Sequence, residues 1–328
     1  MTIKDVAREA GVSISTVSNA LNGIDVLRPD TKRHILEVAE KMHYVPNLNG
    51  KNLKSQETKV IGLFITSIKG PYYGELTDSI YQGCKKYGYE LNIFIAENAD
   101  NAMVNMLGKR IDGAIILNEH VGKKEEEILQ ANEIPIVFID REKQGTSISS
   151  VIFDSYHEGE LAAKYLLELG NTTFGYVRGV EHNFDNIERL KGFRDVLKRA
   201  GFTLQEDYIL RGEFERDIAY NSVKEFLESG KTIPEAIFAA NDLSAIGTIE
   251  ALIEEGIEVP EQVNVIGCDD IETARLVKPS ITTIRTSFEK QGMLAVDYLV
   301  ALIRGEKCGR VEILHGRIIP RESTCIRE

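Results

Sequence analysis

The sequence predicts a small all-α headpiece followed by a two-lobed α/β body built on two parallel sheets. Three observations carry this. The first 45 or so residues hold three short amphipathic segments punctuated by capping and turn residues. From Val60 onward, apolar runs of five or six residues alternate with helical stretches, the pattern of a parallel sheet covered on both faces. That alternation lasts about 270 residues, too long for one ordinary sheet, so two similar subdomains with a cleft between them are expected.

In the headpiece, Thr2 stands as an N-cap with Asp5 three residues on. Val6, Ala7 and Ala10 form the apolar face, and Gly11 stops the segment. Ser13 caps a second helix that runs to Leu21 and ends at Asn22-Gly23. A third runs from about Pro29 to His43, with Pro29 suited to the first helical position and Ile35, Val38, Ala39 and Met42 as its stripe. A four-residue turn between the first two gives helix-turn-helix geometry. Tyr44 to Thr58 is polar, with Asn47, Asn49, Gly50 and Asn52, and reads as a linker.

The body's strands are read in VIGLFIT, ELNIFIA, IDGAIIL, IPIVFID, FGYVRG, AIFAAND and VNVIGCDD. Helix signals lie between them, for example Ser155-x-x-Glu158, read as a capping box opening a run closed by Gly170.

Composition narrows the classes. Of 328 residues, 43% are hydrophobic and 27% charged, as in a soluble globular chain. No apolar run approaches the roughly 18 residues of a membrane span. The start, MTIKDVAREAG, has no signal-peptide h-region, and Cys84, Cys268, Cys308 and Cys325 form no CxxC pair, so a reducing cytoplasm is expected. The six histidines show no metal-ligand spacing, and GxGxxG, HExxH and GxSxG are absent. Gly230-Lys231-Thr232 imitates the end of a phosphate loop, but Glu225 stands where that loop needs glycine. No catalytic residue, metal or cofactor is therefore assigned, and no enzyme is expected. Residues 1–58 carry eight basic and seven acidic side chains; the remainder carries 31 basic against 44 acidic, so the net charge of −12 belongs to the body. A balance of +1 is a weak footprint for binding nucleic acid.

In a helix-turn-helix the second helix enters the major groove. Its outer face would present Ile14, Ser15, Ser18 and Asn19: Asn19 against an adenine edge, Ser15 toward most bases, Ile14 on a thymine methyl. Thr2, Ser13, Thr16 and Asn22 are placed for phosphate. On spacing alone, a three-helix bundle with a solvated polar face is an equal reading.

The wording of the segment shifts that balance. IKDVAREAGVSISTVSNALNG, then Thr31 and Tyr44-x-Pro46-Asn47, resembles the headpiece of the LacI/GalR family of bacterial repressors. VFID (137–140), ERLKGF (188–193), AANDLSAIG (239–247), VIGCDD (265–270), ITTI (281–284) and PREST (320–324) resemble that family's body landmarks in the same order. The resemblance implies a homodimer on a pseudo-palindromic operator and a small-molecule effector. It implies a headpiece at 1–46, a hinge at 47–58 and an effector-binding and dimerisation domain at 59–328. The N-subdomain would take about 59–152 and 288–315, and the C-subdomain about 153–287 and 316–328. Chain length past PREST leaves no heptad tail, which favours a dimer.

Two departures from the family pattern stand out. Arg28 replaces the usual serine cap of the third helix. The hinge, usually N-x-x-A-R-x-L, reads Asn47-Leu48-Asn49-Gly50-Lys51-Asn52-Leu53. By resemblance Asn47, Lys51 and Leu53 meet DNA, Leu53 as the wedge in the minor groove. Gly50 costs such a helix ~1 kcal/mol relative to alanine.

Ligands of open α/β sheets sit beyond the carboxyl ends of strands. Asn118, Asp140, Arg178, Asn241 and Asp269 fall at such ends, and Tyr72, Tyr73, Phe214 and Phe288 supply rings for a sugar's apolar face. By resemblance Asp140, Arg189, Asn241 and Asp269 take the family's main effector positions. Asn241 is equally well a helix cap. Arg178 facing the cleft would favour an anion such as a sugar phosphate; an ion pair with Glu181 is the plainer reading. The effector expected is a sugar or sugar phosphate, with a non-sugar effector as the alternative; by resemblance its binding is expected to release DNA, with a corepressor that promotes binding as the alternative. A transport-type sugar-binding protein would share the body but lack the headpiece.

Overall fold

The computed structural model describes residues 1–22, 24, 26–44, 57–139, 141–306 and 309–327. They fall into two units, Met1–Thr58 and Lys59–Glu328.

The first unit contains α1 (Ile3–Glu9), α2 (Ile14–Leu21) and α3 (Pro29–Lys41). Thr2 closes the front of α1: its backbone N–H and its hydroxyl both donate to Asp5, each at 2.9 Å. Gly11 takes φ +67, a left-handed turn that glycine adopts without strain. Ser13 Oγ accepts from Thr16 N–H at 3.1 Å and so caps α2. α3 starts on Pro29 and, as the departure at Arg28 implied, has no side-chain cap. It ends at Lys41, two residues before the expected His43, which has φ +49. Val6, Ala7, Ala10, Val17, Ala20, Ile35 and Ala39 form the core.

The second unit has two sheets. In chain order its elements are β1 (Val60–Ile65), α4 (Pro71–Tyr87), β2 (Glu90–Ile95), α5 (Ala99–Leu107), β3 (Gly113–Leu117), α6 (Lys123–Ala131), β4 (Ile136–Phe138) and β5 (Ile148–Phe153). They continue as α7 (Ser155–Glu168), β6 (Phe174–Arg178), α8 (Phe184–Arg199), β7 (Ile209–Arg211), α9 (Arg216–Glu228), β8 (Ala236–Ala239) and α10 (Asp242–Glu254). The last are β9 (Asn264–Asp269), α11 (Glu272–Leu276), β10 (Thr282–Arg285), α12 (Phe288–Ile303), β11 (Val311–Leu314) and β12 (Arg317–Ile319).

The first sheet runs β11-β5-β4-β3-β1-β2, every pairing parallel. The second runs β12-β10-β9-β8-β6-β7 and is parallel except for the edge pair β10–β12. β5, β7, β10, β11 and β12 lie outside the seven runs read from the sequence. β7 and β12 are three-residue edges, and β5 carries Ser149 and Ser150, both buried, which break its apolar pattern. The chain passes between lobes three times: after β5 into α7, after β10 into α12, and after β11 into β12. Asp154 and His315, on two of these crossings, pair at 3.2 Å.

Both sheets reverse strand order at a switch point, between β1 and β3 in one lobe and between β6 and β8 in the other. A crevice forms at such points, beyond the strands' carboxyl ends. No helix among the described residues is long and apolar enough to cross a membrane.

Candidate DNA-reading helix and effector cleft

On α2, Val17 and Ala20 turn into the headpiece core and fix the opposite face outward. Ile14 is 46% exposed although it is a large apolar residue, and Ser15 is also exposed. Ser18 and Asn19 are half-buried beside them. Around Ser13 the hydroxyls of Ser15 and Thr16 lie each 2.7 Å from its Oγ, so three hydroxyls crowd the helix start where backbone N–H groups and the dipole favour an anion. Asn22 Nδ2 donates back to Ser18 O at 2.8 Å, which holds that side chain on the helix end. Thr2 is tied to Asp5 as described. Asn47, Lys51 and Leu53 lie outside the described residues, as does Gly50.

The crevice of the second unit is a cleft of about 310 Å³, within the range of small-molecule sites. One wall comes from the β1 lobe. Thr66, Ser67 and Lys69 follow β1, and Tyr72 and Tyr73 open α4. Phe288 opens α12; its ring meets Tyr72 edge-on at 4.8 Å, and Tyr72 meets Tyr73 at 5.4 Å. The opposite wall carries Asn183 and Asp185 from the start of α8, Arg189 one turn on, Phe214, Asn241 and Asp269.

Two backbone distortions aim this wall. Glu213 and Phe214 have φ +51 and +64, and Asp269 and Asp270 have φ +117 and +61. Side chains rarely tolerate such values, and they gather at ligand sites where surrounding structure enforces them. Asn241 is a helix cap: its Oδ1 accepts from Ser244 N–H at 2.9 Å. Its Nδ2 donates to Phe214 O at 3.0 Å and so holds the Phe214 loop at the cleft. Behind Asp269, Asp270 is clamped by Arg275, Arg285 and Arg321; burial opposes its charge, but those guanidiniums hold its carboxyl below the ordinary range.

Asp269 is the reverse case. Burial, then the neighbouring Asp242 carboxyl, pushes it well above the usual range, with Arg189 opposing. Burial thus favours its protonated form, which donates as well as accepts. Arg189 is buried; its Nε and Nη2 donate to Glu158 at 3.1 and 2.7 Å, and its Nη1 donates to Ala240 O at 2.7 Å.

Two expectations from the sequence are corrected. Asn118 is fully buried and off the cleft wall: its Nδ2 donates to Ala96 O at 3.0 Å and Ile65 O at 3.3 Å, tying the ends of β1 and β2. Arg178 is also absent from the wall and lies 3.7 Å from Glu181, so the reason for expecting an anionic ligand is gone. Asp140 lies outside the described residues. Sequence reasoning missed Asn183, Asp185, Thr66 and Ser67. Asn183 as a cap of α8 was the readable signal, since it stands one short loop beyond β6.

A headpiece with an exposed second helix, joined in one chain to a two-lobed cleft, defines a helix-turn-helix DNA-binding regulator. Residues 2–47 match the model described as bacterial regulatory proteins, lacI family, and residues 163–324 match the periplasmic binding protein-like domain. The chain is 34% identical to the HTH-type transcriptional repressor PurR of Edwardsiella ictaluri, across 98% of this chain and 96% of that one. It is also similar to a solved Lac repressor bound to ONPG in the repressed state (25% identity, TM-score 0.84, 99% of each chain). A third similar protein is the transcriptional regulator CelR in its cellobiose complex (25%, TM-score 0.74, 98% of this chain and 99% of that one). The chain belongs to the lacI family of bacterial regulatory proteins, which are DNA-binding transcription repressors and not enzymes.

Proposed function

We propose that the protein represses carbohydrate-metabolism genes in the cytoplasm and that a small neutral sugar sets its operator affinity. The observation that carries the effector reading is the pairing of walls. Rings from one lobe (Tyr72, Tyr73, Phe288) face a hydrogen-bonding edge from the other (Arg189, Asp269). Rings cover an apolar sugar face, while a guanidinium and a carboxyl meet hydroxyls that both donate and accept. The similarity to a cellobiose-bound regulator supports it.

In this reading α2 reads the operator through Ile14, Ser15, Ser18 and Asn19, with Thr2, Ser13, Thr16 and Asn22 on phosphates and the 47–58 segment as hinge. The protein acts as a homodimer on a pseudo-palindromic site, as a symmetric pair requires. Ile93 and Ile95 on edge strand β2 and Val104 on α5 are exposed, which suits burial against a second copy. Ligand draws the lobes together and lowers operator affinity; it does so only by binding the two states unequally.

A flat nitrogen heterocycle of the nucleobase type is the second reading. The specific observation in its favour is Phe214, a further ring on the lobe opposite Tyr72 and Tyr73, held there by Asn241 against its strained backbone. A planar ligand could stack between rings of both lobes.

The test is a thermal-shift screen of neutral monosaccharides, disaccharides and free nucleobases on the full chain, followed by gel retardation of operator DNA with each hit. A sugar that raises Tm and weakens retardation supports the first reading. A base that raises Tm while no sugar does replaces it with the second.

A further inference from the structure

Glu158 does not do what its place in the sequence suggested. Asp154, not Ser155, caps α7, accepting from His157 N–H at 3.0 Å, and Ser155 Oγ donates to Asp185 at 2.7 Å. Glu158 turns inward, wholly buried, and takes both Nε and Nη2 of Arg189 on its single Oε2. With Nη1 on Ala240 O, three of the guanidinium's five N–H groups are engaged within the protein, leaving two for the cleft.

The charges follow from this. A lone buried arginine is a receptor for phosphate or carboxylate. Here a carboxylate already in contact cancels it, and the wall adds the carboxyl groups of Asp185, Glu215 and Glu213, the last paired with Arg211 at 2.7 Å. The other basic residue among the described cleft residues is Lys69, on the exposed rim. An anion would meet a paired arginine among acidic neighbours, which is discrimination by unfavourable charge. Glu158 Oε1 is buried with no hydrogen-bond partner among the described residues, a cost that capping or packing does not explain.

We propose that Glu158 is the specificity-determining residue of the cleft: it neutralises Arg189, so the site selects uncharged ligands and rejects anions such as phosphate esters. This rests on reading the cleft as the effector site but not on which neutral ligand occupies it.

The experiment titrates inorganic phosphate into the full chain at constant ionic strength and follows Tm and heat of binding. Wild type shows no saturable phosphate binding. Glu158→Gln, which keeps the shape and removes the charge, gains saturable binding with a midpoint about tenfold or more below the highest phosphate concentration at which wild type shows none. Glu158→Asp, which keeps the charge, gains none, and adding Arg189→Met to Glu158→Gln abolishes the gain. A folded Glu158→Gln that gains nothing overturns the proposal, and so does wild-type binding that Arg189→Met removes. Should Glu158→Gln fail to fold, the wild-type and Arg189→Met titrations still decide: arginine-dependent binding overturns the proposal and its absence upholds it. Failure of every sugar and base in the earlier screen would sink the effector reading and leave these phosphate results standing on their own.

Discussion

Gly192 on α8 lies against the backbone of Tyr156 on α7, so closely that a Cβ there would stand 1.9 Å from the Tyr156 carbonyl oxygen. Gly159 makes the reciprocal approach, its Cβ position 2.0 Å from Arg189 O. The two helices meet backbone to backbone, and this brings Glu158, next to Gly159, onto Arg189. A methyl at either glycine can be accommodated only by moving a helix. Gly192→Ala is expected to lower stability by about 3 kcal/mol or more, at the upper end of overpacking costs. The urea midpoint measures it, and a change under about 0.5 kcal/mol, the size of a neutral surface substitution, would mean the helices are not locked together.

A second expectation concerns pH. Asp242 is fully buried at the start of α10, with Thr283 Oγ1 donating to it at 2.6 Å and Ile271 N–H at 3.0 Å. Burial outweighs these bonds and pushes its carboxyl up to about 7 from an ordinary 3.8. Below about pH 4 folded and unfolded chains both hold the proton. Between there and neutrality the folded chain keeps a proton that the unfolded chain has lost, so this group's contribution to stability falls as pH rises, by a few kcal/mol in all. Asp242→Asn places an amide where the charge would form, with Thr283 free to accept from it. The variant should match wild type near pH 4 and exceed it at pH 8 in urea midpoint. Parallel pH profiles for the two proteins would refute the assignment.

These two cases show which parts of the molecule could be read from the chain. Helix starts in the headpiece were legible because Ser13 and Pro29 act locally, through one hydroxyl and one fixed φ. The strand-end rule found the cleft, and Tyr72, Tyr73, Phe214, Phe288, Arg189, Asn241 and Asp269 all reach its wall. That rule places a residue at the crevice but says nothing of the direction its side chain takes. Asn118 and Arg178 stand at strand ends and turn elsewhere, one to the Ile65 and Ala96 carbonyls and the other toward Glu181. Ser155-x-x-Glu158 misled for a related reason: Asp154 had already capped the helix, and a partner 31 residues away claimed Glu158. Long-range partners leave no mark at short spacing.

Operator reading by α2 yields a third expectation. Asn19, two residues on from the buried Val17, lies on the opposite side of α2. Replacing Asn19 by alanine removes a side chain with the fork suited to adenine, and is expected to cost about 1–3 kcal/mol of operator affinity while relaxing preference at one base pair. The slope of affinity against salt should stay unchanged, because no phosphate contact is lost. Binding titrations at several salt concentrations check both. A reduced slope with preserved base preference would reassign Asn19 to the phosphates.

Asn118 separates structure from recognition in the body. Its Nδ2 reaches the Ile65 and Ala96 carbonyls at the ends of β1 and β2, and its Oδ1 accepts from His120 N–H at 3.0 Å. Its own carbonyl in turn receives Arg141 Nη2 at 2.8 Å, so one residue ties the β1–β2 edge to the loop after β3. Ile65 O keeps a second donor, Ala96 N–H at 3.1 Å, whereas Ala96 O depends more heavily on the amide. Asn118→Ala therefore strands one carbonyl and one N–H, and should reduce stability by about 1–3 kcal/mol. Because the side chain faces away from the cleft, affinity for whichever ligand the screen identifies should hold within experimental error once the folded fraction is taken into account. A large loss of ligand affinity without any loss of stability would return Asn118 to the binding wall.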